Sequence, residues 1–199
     1  MDDIVGGDSK ASSERKPRAD ATRNREQLIA AAKAAFAERG ADVALEEIAR
    51  RAGLGIGTLY RHFPTRDALL AAVYRREVEQ LAAAADRLLA EKRPLAALEA
   101  WLGQLVDYLA TKRVIAPALQ ASPGEGSAAY AAGGPAVGGA MQRVLAAALA
   151  SGELRADVSP DDLMRLIAGL ANGYERPDWP ASTRRLIGVL MAGLRAPAA

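Results

Sequence analysis

Two short apolar-patterned runs, joined at Gly53, lie between Leu45 and Pro64 and constrain the fold more than any other feature of the chain. Two helices that cross steeply over a tight turn need a small residue at their closest approach, and Ala49 meets that need. The turn itself needs a residue that tolerates positive φ, which Gly53 provides. Pro64 stops the second run. We therefore predict a helix-turn-helix over residues 45–63.

The remainder of the chain also favours helices. Alanine and leucine dominate, whereas β-branched and aromatic residues are sparse. A first helix is expected from near Thr22 or Asn24 to Gly40, which supplies the glycine that follows a helix end. Further helices are predicted over about 66–90, 94–112, 140–150, 160–172 and 182–195. The fold class is all-α, with about nine helices: a three-helix head over residues 22–66, then a helical body over 67–199.

Two segments lack helical periodicity. Residues 1–21 mix charged residues with glycine, serine and proline, and we predict a disordered arm. Ser122–Gly139 contains six glycines and two prolines in eighteen residues, which predicts a loop or broken helix. That segment would be either an entry gate for a ligand or merely a flexible loop.

Positive charge is concentrated near the N-terminus. The net charge is only +2, but residues 15–66 contain 11 basic and 6 acidic residues, while residues 67–199 contain 14 of each. A basic N-terminal third on a neutral body fits an electrostatic footprint for phosphate. An ordinary solvated surface would explain the charge alone equally well.

Composition excludes several functions. There is no cysteine, so disulfides and thiolate chemistry are absent, and His62 is the only histidine, so no multi-histidine metal site exists. No apolar run approaches the roughly 18 residues of a membrane span, and no signal peptide is evident. We expect a cytoplasmic protein without metal or cofactor. The sequence contains no nucleophile–base pair and no glycine-rich phosphate loop after a strand. It therefore gives almost no support to an enzyme.

The second helix of the motif would present polar side chains to a DNA major groove. Hydroxyl groups of Thr58 and Tyr60 and the ring N–H of His62 can donate to phosphate oxygens. Arg61 can reach a phosphate or pair with guanine. The remaining candidates are Gly57, which with Gly55 lets the backbone approach the duplex, and Arg66, placed for another phosphate. Core packing is the alternative for Tyr60, and Arg50 and Arg51 are expected on a solvated face.

These residues resemble the DNA-binding head of TetR-family repressors. The segment Gly57-Thr-Leu-Tyr-Arg-His-Phe63 followed by Pro-Thr-Arg66 matches the family hallmark, and Ala31-Ala-Lys-Ala-Ala-Phe-Ala-Glu-Arg-Gly40 matches its first helix. The resemblance implies three head helices and a body that binds a ligand and dimerises through its last two helices. Relatives usually place Thr or Ser where this chain has Ala44. Asp42 could cap the second helix instead, or one phosphate contact is lost.

Candidate residues in the body are less distinctive. Trp101, Tyr108, Met141 and Asn172 could line an effector pocket, although plain core packing, or a helix cap for Asn172, explains them as well. Two apolar stripes on the last two helices suit a four-helix dimer interface better than an internal core: Leu163, Leu166, Ile167, Leu170, Leu186, Ile187, Leu190, Met191 and Leu194.

The predicted partners are double-stranded DNA, a second copy of the chain and a small-molecule effector of unknown identity. The predicted function is a transcriptional repressor, released from a pseudo-palindromic operator when the effector binds in the body. The alternative is a DNA-binding protein without a small-molecule effector.

Overall fold

The computed structural model describes residues 9–121, 124–155, 157, 159–172 and 178–196, with side chains from residue 19 onward except at 171 and 172. This part of the chain forms eight helices, one fewer than the approximate number expected from the sequence. They are α1 (Ser9–Arg39), α2 (Leu45–Arg51), α3 (Ile56–His62), α4 (Arg66–Glu91), α5 (Pro94–Gln120), α6 (Glu125–Ala150), α7 (Pro160–Asn172) and α8 (Trp179–Leu194). The predicted all-α class is confirmed.

Helices α1, α2 and α3 pack against one another as a head whose apolar interior is continuous with the core of the body. Buried side chains from all three helices meet there: Leu28, Phe36, Ile48, Leu59 and Phe63. Gly40 has φ 85° after the end of α1, and Gly53 has φ 69° between α2 and α3. Both glycines therefore occupy the left-handed conformation that the sequence predicted for the turns.

Helix α1 begins earlier than the sequence indicated. Its first residue is Ser9, so residues 9–21, which we assigned to a disordered arm, are helical. Eight of its thirteen residues are alanine, lysine, arginine or glutamate, which are good helix formers, and the helix continues to Arg39. The segment has no apolar stripe at helical spacing. Its sequence pattern is therefore the same as that of an irregular polar segment, and periodicity does not reveal the helix. The rest of the predicted arm lies outside the described residues.

The body is built on α4, α5 and α6, with α7 and α8 packed beside them. Thr65 caps α4, since its Oγ1 accepts a hydrogen bond from Ala68 N at 3.0 Å. Fully buried side chains of α5 and α6 fill the interior, including Leu98, Leu105 and Val144. An isolated antiparallel bridge between Leu154 and Arg195 ties the loop after α6 to the end of α8.

The glycine-rich segment is helical from Glu125 onward, which corrects the loop or broken helix predicted over Ser122–Gly139, and residues 122 and 123 lie outside the described residues. Helix α6 runs continuously from Glu125 to Ala150, and two of its glycines lie in close contact with side chains of α4. A Cβ atom at Gly133 would lie 2.4 Å from the Tyr74 hydroxyl, and one at Gly126 would lie 2.2 Å from Asp67 Oδ1. Gly126 N also donates to Asp67 Oδ2 at 3.0 Å. The glycines thus allow α6 to lie directly against α4.

Among the described residues, no helix is both long enough and apolar enough to cross a lipid bilayer.

Candidate nucleic-acid interface

The turn between α2 and α3 is held by backbone hydrogen bonds around its glycine. Gly53 N donates to Arg50 O at 3.1 Å, and Leu54 N donates to Ala49 O at 2.9 Å. Ala49 is almost completely buried, as expected for the small residue at the crossing of two helices. The two helices are therefore fixed relative to each other before any ligand binds.

One face of α3 points away from the head. Gly57, Tyr60 and Arg61 are exposed and lie on the same side of the helix, since they are three and four residues apart. Tyr60 is 46% exposed, which excludes the alternative that it is a core residue. The side chains of Thr58 and His62 are half-buried along one edge of this face. The exposed residues together form a surface of hydroxyl, guanidinium and bare backbone.

The opposite face of α3 anchors the helix. Leu59 is fully buried and Phe63, which follows the helix, is 3% exposed. Phe63 N donates to Leu59 O at 2.8 Å. The helix therefore has little freedom to rotate its outer face.

Arg66 fastens the loop between α1 and α2. Its Nη1 atom donates to the carbonyl oxygens of Ala41 and Val43, each at 2.8 Å. Sequence analysis predicted a phosphate contact for this arginine and missed the intramolecular one. The interaction places the start of α4 against the loop that precedes α2.

Helix α2 begins without a side-chain cap. Ala44 occupies the N-cap position and provides no side-chain hydrogen bond. Among the described residues the Asp42 carboxylate makes no hydrogen bond either, so it does not replace the missing cap.

A network of charged side chains ties α2 to α1. Arg51 Nη1 donates to Glu38 Oε2 at 2.7 Å and Arg51 Nε to Glu47 Oε1 at 2.8 Å, while Arg50 also donates to Glu47. Hydrogen bonds from Arg51 and then Arg50 lower the pKa of Glu47 to about 2. Both arginines therefore pair with carboxylates inside the head. Arg50 is exposed, as predicted, whereas the Arg51 side chain is only 21% exposed, so the solvated face predicted for it is wrong.

Arg25 is a residue of this surface that sequence analysis missed. Its guanidinium lies 5.3 Å from the centre of the Phe63 ring, next to the end of α3. Its position in the sequence could have identified it, because Arg25 lies one turn before Leu28 and Ile29, which anchor α1 in the core. The sequence alone places it only in the basic N-terminal third.

Two of the four predicted pocket residues, Trp101 and Met141, are fully buried in the core. Trp101 Nε1 donates to Leu81 O at 2.9 Å. Tyr108 is nearly buried and shares a 2.9 Å hydrogen bond between hydroxyl groups with Tyr74. Asn172 is the last residue of α7, and its side chain lies outside the described residues.

The two apolar stripes on α7 and α8 divide between the core and the surface. Leu163, Ile167, Ile187 and Met191 are buried inside the protomer, whereas Leu170, Leu190 and Leu194 are half-buried against the same core. Leu166 and Leu186 are 43% and 38% exposed, and Val189, which we had not singled out, is 71% exposed. Helical spacing explains the division, since residues 163 and 167 share the inward face of α7 while residue 166 is rotated away from it.

Among the residues described, no group of three or more histidine, cysteine, aspartate or glutamate side chains could hold a metal ion.

A head of three helices, with the outer face of α3 free of the protomer and a long α4 leading into a helical body, defines a helix-turn-helix DNA-binding protein. The comparisons with known proteins agree. Residues 28–73 match the model of the bacterial regulatory proteins of the tetR family, and residues 93–196 match the SbtR-like transcriptional regulator C-terminal domain. The chain belongs to the TetR family of transcriptional regulators.

Relatives with solved structures extend over almost the whole chain. The TetR transcriptional regulator SCO0520 from Streptomyces coelicolor is 42% identical and superposes with a TM-score of 0.79, covering 87% of this chain and 99% of that one. The TetR regulatory protein from Mycobacterium vanbaalenii is 35% identical with a TM-score of 0.74, covering 90% and 99%. The transcriptional repressor KstR from Mycolicibacterium smegmatis is 31% identical over 137 residues, or 67% of each chain.

The match to some relatives is shorter. The transcriptional regulator SAR0097 from Staphylococcus aureus is 36% identical over 81 residues, so the chain spans 42% of the length of that protein.

Proposed function

We propose that the chain acts in the cytoplasm as a dimeric repressor, which leaves a pseudo-palindromic operator when a small molecule binds in its body. The observation that supports DNA recognition most directly is the exposed face of α3, where Tyr60 and Arg61 project from a helix anchored by Leu59 and Phe63. One relative, KstR, is named as a transcriptional repressor.

In this proposal the phosphate contacts come from the exposed face of α3 and from one of its edges. Thr58, Tyr60 and His62 would donate to phosphate oxygens, and Gly57 would let the helix backbone approach the duplex. Arg61 would pair with a phosphate or with a guanine edge. Arg66 would add a phosphate contact from the start of α4, in addition to its hydrogen bonds to Ala41 and Val43.

A second copy of the chain would supply the second head. In a two-fold dimer the two α3 helices would enter successive major grooves, about 34–36 Å apart. The exposed apolar residues of α7 and α8 offer the surface for this pairing, because large apolar side chains on a helix surface favour burial against a partner.

Sites of bound DNA across the genome, mapped by footprinting, would provide the operator for a direct test. We expect the purified protein to bind that duplex as a dimer, and Arg61→Ala to weaken binding by about five- to a hundredfold. Arg87→Ala is the matched control, since Arg87 is an exposed arginine on α4, well along the body. Equal affinity of the two variants would reject the assignment of α3 as the recognition helix.

The alternative is a DNA-binding regulator without an effector. The fully buried positions of Trp101 and Met141 favour it, since two of the four predicted pocket residues belong to the core. Thermal unfolding with candidate small molecules separates the two functions, because only a protein that binds a ligand is stabilised by it.

A further inference from the structure

An open cleft of about 320 Å³ lies between α5, α6 and α7 of the body. Its volume is at the small end of the range for pockets that bind organic molecules. Helix α5 forms most of its wall, with Tyr130 from α6 and Ala168 from α7 completing it. Trp101, Tyr108 and Met141, which the sequence predicted as pocket lining, are not among its lining residues, and the side chain of Asn172 lies outside the described residues.

A positive charge is fixed at the wall of this cleft. The ammonium group of Lys112, a half-buried residue, lies 4.9 Å from the centre of the Tyr130 ring and 5.9 Å from that of Tyr108. Among the described residues Lys112 forms no ion pair, and no aspartate or glutamate lines the cleft. Arg113 is a second cation in the lining.

The rings that hold Lys112 are themselves fixed. Tyr130 stacks on Tyr74 with ring centres 5.6 Å apart, and the hydroxyl groups of Tyr74 and Tyr108 share a hydrogen bond. Burial raises the pKa of the Tyr108 hydroxyl well above its ordinary value, so this group stays protonated and neutral. Gly133 leaves the space that Tyr74 occupies. The ammonium group therefore faces the cleft from a rigid aromatic support.

The rest of the lining is largely apolar. Leu109, Ala116 and Pro117 of α5 face Ala168 of α7, and Gln120 is the uncharged polar residue among them. A ligand that fits this cleft needs a negative group near Lys112 and a hydrocarbon body beside it, because a partly desolvated cation gains most from an anionic partner.

We propose that the cleft binds an amphipathic organic anion, with its carboxylate paired to Lys112 and its apolar body against Leu109, Ala116, Pro117 and Ala168. The proposal names the chemical class of the effector. Binding of the anion does not depend on the proposed function, but the effect of that binding on DNA affinity does.

The test uses three probes with one tail and different head groups, namely octanoate, 1-octanol and octylamine, on the full-length protein. At a concentration ten times its Kd, octanoate should raise Tm by about 3–6 °C, and the other two should raise it less. Lys112→Met should weaken octanoate binding at least about tenfold by calorimetry, because it removes a charge-assisted hydrogen bond. Lys112→Arg should restore binding to within a few-fold.

Lys92→Met is the control, since Lys92 is an exposed lysine after the end of α4, and it should leave octanoate binding unchanged. The Tm of each variant without ligand shows whether it is folded. No stabilisation by octanoate, equal stabilisation by the alcohol or the amine, or full binding by Lys112→Met would overturn the proposal.

Failure of this proposal and failure of the proposed function give different results. Operator binding without octanoate binding would reject the anion site and leave DNA recognition intact. Octanoate binding that leaves operator affinity unchanged would retain the site and reject ligand-controlled release.

Discussion

Lys33 Nζ lies 2.7 Å from Glu77 Oε2, and this ion pair joins α1 of the head to α4 of the body. Glu77 is only 6% exposed, whereas Lys33 is partly open to solvent. Thr111 of α5 donates to the same carboxylate oxygen at 3.3 Å. Three helices from both parts of the protein therefore meet at one buried negative charge.

Removal of the positive partner should destabilise the protein more than removal of both partners. Lys33→Met leaves the Glu77 carboxylate buried with only a hydroxyl donor, and we expect a loss of about 1–3 kcal/mol in the free energy of unfolding. The double variant Lys33→Met, Glu77→Met should recover part of that loss, because no charge remains to be desolvated. Urea unfolding of the wild type, the single variants Lys33→Met and Glu77→Met, and the double variant measures the coupling. Strictly additive effects would show that the pair contributes nothing.

Substitution by alanine should have opposite effects on stability at two adjacent glycines of α6. Gly133→Ala should destabilise the protein by about 1–3 kcal/mol, since the new Cβ would overlap Tyr74, although alanine favours the helix. Gly134→Ala should stabilise it by up to about 1 kcal/mol, because a Cβ there meets nothing within 4 Å. Thermal or urea unfolding compares the two variants directly. A stabilised Gly133→Ala variant would contradict the close-packing role of this glycine.

Glu47 predicts a pH dependence of stability. The folded head lowers its pKa from 4.5 to about 2 through the hydrogen bonds from Arg51 and Arg50, so the unfolded chain takes up the proton first as the pH falls. The contribution of Glu47 is complete above about pH 5.5 and is lost progressively between pH 4.5 and about 2. Urea unfolding of wild type and Glu47→Gln should give curves that differ at pH 6 and converge toward pH 2. Parallel curves across this range would show that the network does not stabilise the head.

Two arginines near the DNA-binding face should respond differently to truncation. Arg61→Ala should reduce the slope of log operator affinity against log salt concentration by about one. It should leave Tm nearly unchanged, because Arg61 is exposed. Arg66→Ala should also lower the free energy of unfolding by about 1–3 kcal/mol, since the carbonyl oxygens of Ala41 and Val43 lose their donor. Binding measured at several salt concentrations, combined with urea unfolding, separates the two roles. An unchanged stability for Arg66→Ala would contradict its role in fastening the loop.

The sequence predicted the head well because its requirements are local. A small residue at position 49, a positive φ at Gly53 and a proline at position 64 each act within a few residues of the turn. The course of α6 was predicted wrongly because Gly126 and Gly133 pack against Asp67 and Tyr74. These two residues lie on another helix and are distant in the chain. The double use of Arg66 was missed for the same reason, since Ala41 and Val43 precede it by more than twenty residues.

Val189 offers the sharpest test of the proposed dimer. It is 71% exposed on α8, near the exposed side chain of Leu186. A charge at this position would therefore not disturb the core of the protomer. It would be buried if α7 and α8 pair with the same helices of a second copy. We expect Val189→Glu to convert a particle of twice the chain mass of 20.9 kDa into a monomer in light scattering, with an unchanged helical circular dichroism spectrum. Operator affinity should fall with it, because a single head binds only one half-site. Gln142→Glu, at an exposed position on α6, should remain dimeric with full affinity. A dimeric Val189→Glu variant would place the interface elsewhere on the body, and the exposed apolar residues of α7 and α8 would then need another partner.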